Sequence, residues 1–238
     1  MKAVITGASR GIGEAIARAL AHEGYDLILT CDKTFDVLEK VAADIRATYN
    51  NIEINTFCID MADENAVNEL FEKIGDIDLL INNAGISYVG LLHEMTSEQW
   101  HRVMGVNLDS IFYTSRAALI GMIKKHSGRI INISSIWGNT GASMEVAYSA
   151  SKGAVNTFTK ALAKEVAPSG ITVNAISCGV IDTDMNKCFS KEEMDAFVEE
   201  IPADRMGTAD EVARMAVLIS KAPEYMTGQV ITIDGAYQ

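Results

Sequence analysis

The chain has 238 residues, 48% of them hydrophobic, which is enough apolar material for one sizeable core and, at this length, for one α/β domain spanning residues 1–238. Its 32 acidic and 20 basic side chains leave a formal charge of −12, which repels phosphate backbones and anionic membrane surfaces, so neither nucleic acid nor a membrane is expected as a partner. No apolar run approaches the roughly 18 to 20 residues needed to cross a bilayer, and four cysteines without close pairing (Cys31, Cys58, Cys178, Cys188) argue against a disulfide framework or a zinc site; a cytoplasmic protein with reduced thiols and no metal is expected.

In chain order, apolar runs stand at 3–5, 27–29, 54–58, 79–81, 129–133, 171–176 and 230–233. The segments between them have helical spacing: Ile12, Ile16, Ala19 and Leu20 share one face, as do Val212, Met215, Ala216 and Ile219. Strands alternating with helices predict a doubly wound α/β sheet of seven parallel strands with helices on both faces. Thr96 followed three residues later by Gln99 has the capping-box spacing and opens a long helical stretch. Residues 182–205, polar but carrying Met185, Phe189, Met194 and Phe197, interrupt the alternation and read as a substrate lid. A nucleic-acid or membrane role would need a local basic patch, and the only short basic cluster is Lys124, Lys125, His126 and Arg129.

The first strand runs directly into Thr6-Gly7-Ala8-Ser9-Arg10-Gly11-Ile12-Gly13 and then a helix, so backbone N–H groups and the positive helix end converge on one point that suits a pyrophosphate. The spacing, Gly-x3-Gly-x-Gly, departs from G-x-G-x-x-G, and glycines alone are compatible with a turn that only packs. Further along, Tyr148 and Lys152 lie four residues apart in a helical segment and share a face. A nearby ammonium favours the phenolate and is expected to lower the phenol's pKa, allowing it to exchange a proton with a carbonyl or alcohol oxygen. Taken alone, such a pair is more often incidental than catalytic. Ser135, closing a strand thirteen residues earlier, could donate to the same oxygen or merely end the strand in a turn.

Together these motifs make the chain resemble the classical short-chain dehydrogenase/reductase family along essentially its whole length. The resemblance rests on the loop at residues 6–13, Asn82-Asn83-Ala84-Gly85 after the fourth strand, the spacing of Ser135, Tyr148 and Lys152, and Asn107 in Gly-Val-Asn-Leu. It implies a Rossmann-type fold and a catalytic group of Asn107, Ser135, Tyr148 and Lys152. In that family pattern Tyr148 is the proton donor in reduction, Lys152 lowers its pKa and holds the nicotinamide ribose, Ser135 positions the carbonyl, and Asn107 supports a proton-relaying water chain. The implied cofactor contacts are Gly7, Ser9, Arg10, Gly11, Ile12 and Gly13 around the phosphates, Asp32 near the adenine ribose, Asp60 and Met61 at the adenine, Asn83, Ala84 and Gly85 beside the adenine ribose, Ile181 and Thr183 at the carboxamide, and Tyr148 and Lys152 themselves. Two positions depart from the pattern: Cys178 stands where the family usually has proline, and Ala236 follows Asp234-Gly235 where a second glycine is common.

Arg10 is like the basic residue of NADP-preferring members, Cys31 stands where NAD-preferring members carry an acid, and Asp32 opposes a 2′-phosphate while Lys33 offsets it. NADP(H) is favoured and NAD(H) stays possible. The stretches around residues 8–13, 128–135 and 170–174 are most similar to bacterial 3-oxoacyl-[acyl-carrier-protein] reductases of fatty acid biosynthesis. They imply a 3-oxoacyl thioester substrate, with acidic acyl carrier protein as a partner that docks at a basic entrance formed in part by Lys124, Lys125 and Arg129, and a homotetramer or homodimer as the assembly. Alternatives are reduction of another ketone (a ketone-bearing modification of elongation factor P, which residues 181–186 and 199–202 resemble, a sugar, or a hydroxysteroid) and a non-catalytic NADP(H) sensor.

Overall fold

Each expected apolar run becomes a strand because helices cover both sides of it. The structure, a computed structural model, describes the backbone of residues 1–238 and every side chain except those of Lys187 and Cys188. The strands are β1 (Lys2–Ile5), β2 (Asp26–Cys31), β3 (Ile54–Cys58), β4 (Leu79–Asn82), β5 (Gly128–Ser135), β6 (Ile171–Cys178) and β7 (Val230–Ile233), all parallel in the order β3-β2-β1-β4-β5-β6-β7. The chain starts mid-sheet, runs outward through β2 and β3, then returns to the other side of β1, so the order reverses between β1 and β4. β5 and β6 extend beyond the apolar runs because Ser134, Ser135, Ser177 and Cys178 continue the ladder while buried.

Successive side chains in a strand face opposite layers. Ile5, Leu29, Ile131 and Ile133 pack on one side with α1 (Gly11–His22), α2 (Phe35–Thr48) and α9 (Ala209–Ser220). Val4, Leu80, Ile130 and Val173 pack on the other with α3 (Glu64–Ile74), α5 (Ser110–Lys125) and α7 (Val146–Val166). That second layer also holds a buried polar chain: Thr114 Oγ1 donates to Asn82 Oδ1 (2.7 Å), Asn82 Nδ2 to Asn132 Oδ1 (2.9 Å), and Asn132 Nδ2 to Thr159 Oγ1 (2.9 Å). Adjacent strands put Asn82 and Asn132 in register, so the amides pair across the sheet and tie it to α5 and α7.

The Thr96 capping box forms, with Gln99 N donating to Thr96 Oγ1 and Thr96 N to Gln99 Oε1, and it starts α4 (Ser97–Met104). A π-helical turn, Gly105–Asp109, joins α4 to α5 and carries Asn107. Of the apolar positions on these helices, Ile111 and Ala118 are core, whereas Phe112, Ile120 and Ile123 are exposed. Between β6 and α9 the chain departs from the sheet and returns, pinched at its base where Asp182 N donates to Gly207 O and Gly207 N to Val180 O, both at 2.9 Å. This excursion contains a 3₁₀ turn (Asp184–Cys188) and α8 (Lys191–Glu200), with Phe189 and Phe197 edge to face. After β7, Ala236 adopts φ 69°, a left-handed conformation that costs a residue with a Cβ about 1 kcal/mol where glycine is free.

The basic cluster does not lie where a docking patch at the substrate entrance requires. Lys124 and Lys125 end α5 and Arg129 is the second residue of β5, about 20 Å along the strand from Ser135. Lys125 is committed to the Asp78 carboxylate (2.7 Å) and Ile77 O (2.8 Å). A helix that packs antiparallel to its following strand necessarily ends at the strand's amino edge, which is why the sequence proximity of these residues to β5 misleads.

Candidate active site

The carboxyl edge of the sheet gathers the sequence motifs. Thr6 and Gly7 leave β1 and meet the loop after β4: Asn83 N and Ala84 N both donate to Thr6 Oγ1 at 2.9 Å, and Asn83 Nδ2 donates to Thr6 O (2.9 Å) and Gly7 O (3.0 Å). Gly7 takes φ 67°, and a Cβ on Gly13 would stand 2.2 Å from Gly7 O, so helix α1 can sit against the loop only with no side chain there. No side chain caps α1, whose N-cap is Arg10, and its first-turn N–H groups stay available to an anion. Ser9 Oγ is held by Thr34 Oγ1 (2.8 Å), and Gly11, at φ 57°, faces Thr183 at the start of the excursion.

A cleft of about 910 Å³ opens beside this loop. Of the expected residues, Ile12, Asn83, Gly85, Ser135, Tyr148, Lys152, Ile181 and Thr183 line it. Ser135 ends β5, and the first turns of α7 bring Tyr148 within hydrogen-bonding reach of it. Lys152, one turn on, donates to Ile133 O (2.8 Å) and lies 5.6 Å from the Tyr148 ring centroid. Burial raises the phenol of Tyr148 above its ordinary value, against the opposing Ser135 bond. The net direction is therefore opposite to the lowering expected from Lys152, because desolvation is the leading cause and the Lys152 ammonium is itself turned to the Ile133 carbonyl. Burial also pushes Lys152 down to about 8 and the Cys178 thiol, at the end of β6, up to about 12. Asn107 is fully buried behind the cleft: its Nδ2 donates to Ile86 O (2.9 Å) and Ser151 Oγ (3.0 Å), and its Oδ1 accepts from Ile86 N (2.8 Å). That amide staples the loop after β4 to α7.

At the other end of the carboxyl edge, Asp32 follows β2 and Asp60 follows β3. Both are claimed by Arg102 of α4, a residue with no motif to mark it in the sequence: Nη1 donates to Asp60 Oδ2 (2.5 Å) and Nη2 to Asp32 Oδ2 (3.1 Å). Lys33 approaches Asp32 to 3.9 Å. Burial alone would raise Asp60, but the Ala62 N–H and the Arg102 guanidinium outweigh it and hold the carboxyl below its ordinary value. The Met61 side chain is in the core and accepts from Thr30 Oγ1, so only its backbone can face a ligand. Arg10 is exposed and reaches Asp184 of the excursion at 3.7 Å.

Further lining comes from Met185, Asn186, Phe189, Met194 and Phe197 of the expected lid segment, and from Ser87, Trp137 and Glu145, which no sequence motif marked. Glu145, the N-cap residue of α7, accepts from Ser87 Oγ at 2.9 Å.

The fold, the glycine loop at a strand-order switch and the Ser135-Tyr148-Lys152 group define a nucleotide-dependent oxidoreductase site. Residues 1–194 match the family model described as short chain dehydrogenase. A 3-oxoacyl-[acyl-carrier-protein] reductase of Haemophilus influenzae is 40% identical over 98% of this chain and 96% of its own. A solved NADPH-dependent reductase involved in bacilysin biosynthesis superposes with a TM-score of 0.93 at 27% identity, covering 100% of this chain and 98% of the other. A structure named as an NAD(P)-dependent gluconate 5-dehydrogenase of Beutenbergia cavernae, with NADP at low occupancy, gives 0.94 at 33% identity, covering 99% and 96%. The chain belongs to the short-chain dehydrogenase/reductase family.

The close approach of α1 to the glycine loop gives a first test. Gly13→Ala forces a methyl against backbone that cannot swing away, and is expected to lower stability by about 1–3 kcal/mol in chemical denaturation.

Proposed function

We propose that the chain is a single-domain, cytoplasmic, NADP(H)-dependent enzyme that reduces a ketone to an alcohol, with residues 182–205 as its substrate lid. The observation that carries this reading is that Ser135, Tyr148 and Lys152 meet in the same cleft as the glycine loop. The residues present fit a dinucleotide: an uncapped helix start for the pyrophosphate, glycines where a Cβ would fill the cradle, and carboxylates at the ends of β2 and β3 for the adenosine. Gly7, Ser9, Arg10, Gly11, Ile12 and Gly13 would hold the phosphates, Asp32 and Asp60 with the Met61 backbone the adenosine, Asn83, Ala84 and Gly85 its ribose side, and Ile181 and Thr183 the carboxamide. Bound there, the reduced nicotinamide supplies hydride to the carbonyl carbon.

In this scheme Ser135 donates to the carbonyl oxygen and Tyr148 delivers the proton as that oxygen gains charge. A raised phenol pKa keeps Tyr148 protonated before reaction, as a proton donor requires, and a phenol is still far more acidic than the alkoxide's conjugate alcohol. Lys152 holds the ribose and offsets charge on the phenol. Asn107 is a positioning residue, holding the Ile86 loop and α7 in register.

The relatives' name makes a 3-oxoacyl thioester, and with it acyl carrier protein and fatty acid biosynthesis, the first substrate class to test. The exposed Phe112, Ile120 and Ile123 on α5 support a homodimer or homotetramer. A second reading, reduction of a different ketone, is favoured by one observation: the basic cluster that would meet an acidic carrier protein lies at the opposite edge of the sheet, while residues 182–205 beside the cleft carry eight acids and three bases.

With acetoacetyl thioester and a panel of ketones, turnover with NADPH is expected to fall about 10²- to 10⁴-fold in Tyr148→Phe while NADPH binding persists; equal turnover in both proteins would remove the mechanism. Because the Lys152 ammonium is lost as pH rises through about 8, kcat/KM for reduction is expected to be level below that pH and to fall above it. Arg102 neutralises the carboxylate that opposes a 2′-phosphate, so Arg102→Ala is expected to weaken NADPH binding about tenfold relative to NADH, read by fluorescence titration.

A further inference from the structure

Besides the buried Cys178 thiol, the cleft is lined by a carboxylic acid for which the proton-transfer scheme has no use, Glu145. Glu145 is half-buried, three residues before Tyr148, and its carboxylate's one hydrogen bond among the described residues is from a neutral hydroxyl, Ser87. No basic side chain among the described residues forms an ion pair with it, although acids elsewhere in the chain, such as Asp60 and Asp78, are so paired. Burial raises its carboxyl above the ordinary value, opposed only by the Ser87 bond, and its charge reaches Tyr148, whose phenol it helps to raise. Holding a carboxylate in a partly desolvated wall without a cation is unfavourable, and the fold gains nothing from it that glutamine would not supply.

Two further observations indicate where the missing cation comes from. The same cleft is lined by apolar and aromatic side chains, Trp137, Phe189, Met194 and Phe197, which suit methylenes and the face of a cation. The excursion that covers it carries eight acids and three bases, so its field draws cations toward the cleft and repels anions.

We propose that Glu145 selects the substrate: a ketone carrying a protonated amine a short alkyl chain away from its carbonyl, with the ammonium paired to the Glu145 carboxylate while the carbonyl oxygen faces Ser135 and Tyr148. This rests on the carbonyl-reductase reading and narrows its substrate class. A ketone with a carboxylate in the same place is excluded by charge, and a neutral alkyl ketone binds without the ion pair.

The test compares three ketones of equal length, ending in an amine, a methyl and a carboxylate, with NADPH on the wild type, Glu145→Gln and Glu145→Asp. The wild type is expected to prefer the amino ketone over the keto acid by at least tenfold in kcat/KM, mainly through KM. The ratio of amino to neutral ketone is expected to fall at least tenfold in Glu145→Gln and to be partly kept in Glu145→Asp. Calorimetry of the matching amino alcohol on the enzyme with NADP⁺ reads the same pairing without turnover, and Glu145→Gln is expected to weaken it at least tenfold. A wild type that prefers the neutral or anionic ketone, or a ratio unchanged in Glu145→Gln, overturns the proposal while leaving the reductase reading intact. Failure to reduce any ketone, with Glu145-dependent binding of the amino alcohol, overturns the reductase reading and keeps the site.

Discussion

The site depends on the latch between Thr6 and Asn83. A parallel sheet whose strand order reverses leaves a gap between two loops that diverge from adjacent strands, and here β1 and β4 flank that gap. Four hydrogen bonds, two to the Thr6 hydroxyl and two from the Asn83 amide, hold the loops together. At about 0.5–1.5 kcal/mol each, they contribute enough to keep the glycine loop in one conformation and Gly85 beside the Asn107 amide and the Lys152 ammonium. Without the latch, the glycine loop and the Tyr148 helix would be parts of the same sheet edge with no fixed distance between them.

Desolvation then sets the chemistry. Tyr148, Lys152, Cys178 and Glu145 are all shifted toward their neutral forms, and burial is the leading cause in each case. Such an enclosure keeps a phenol protonated and a lysine within reach of neutral pH, a combination suited to delivering a proton to an oxygen that becomes negative. The buried amides of Asn82, Asn132 and Asn107 are fully engaged with partners in the same layer, so polar groups surround the site without competing for its proton.

Charge is sorted along the carboxyl edge. At the ends of β2 and β3 Arg102 binds two carboxylates and offsets their charge, while at the cleft the acids of residues 182–205 and Glu145 are in excess. A formal charge of −12 is therefore not spread evenly with respect to function, and the net figure says nothing about which end of the site is acidic.

Period and spacing by themselves determined the strand-helix alternation, the seven strands, the glycine loop, the shared face of Tyr148 and Lys152 and the Thr96 cap, because each is a relation between residues close in the chain. Strand ends were legible only to within a few residues, since Ser134, Ser135 and Ser177 are polar and are buried by pairing across the sheet. Tertiary structure alone decided that Arg102 joins Asp32 to Asp60, that Lys125 and Arg129 stand at the far edge, that burial holds the Tyr148 phenol above its ordinary value, and that Glu145 lines the cleft with no ion-pair partner among the described residues. These depend on which groups are brought together across 42 or 70 residues of chain and how much water is removed between them. Local sequence encodes which face a side chain occupies, whereas desolvation and long-range pairing exist only once the layers have closed.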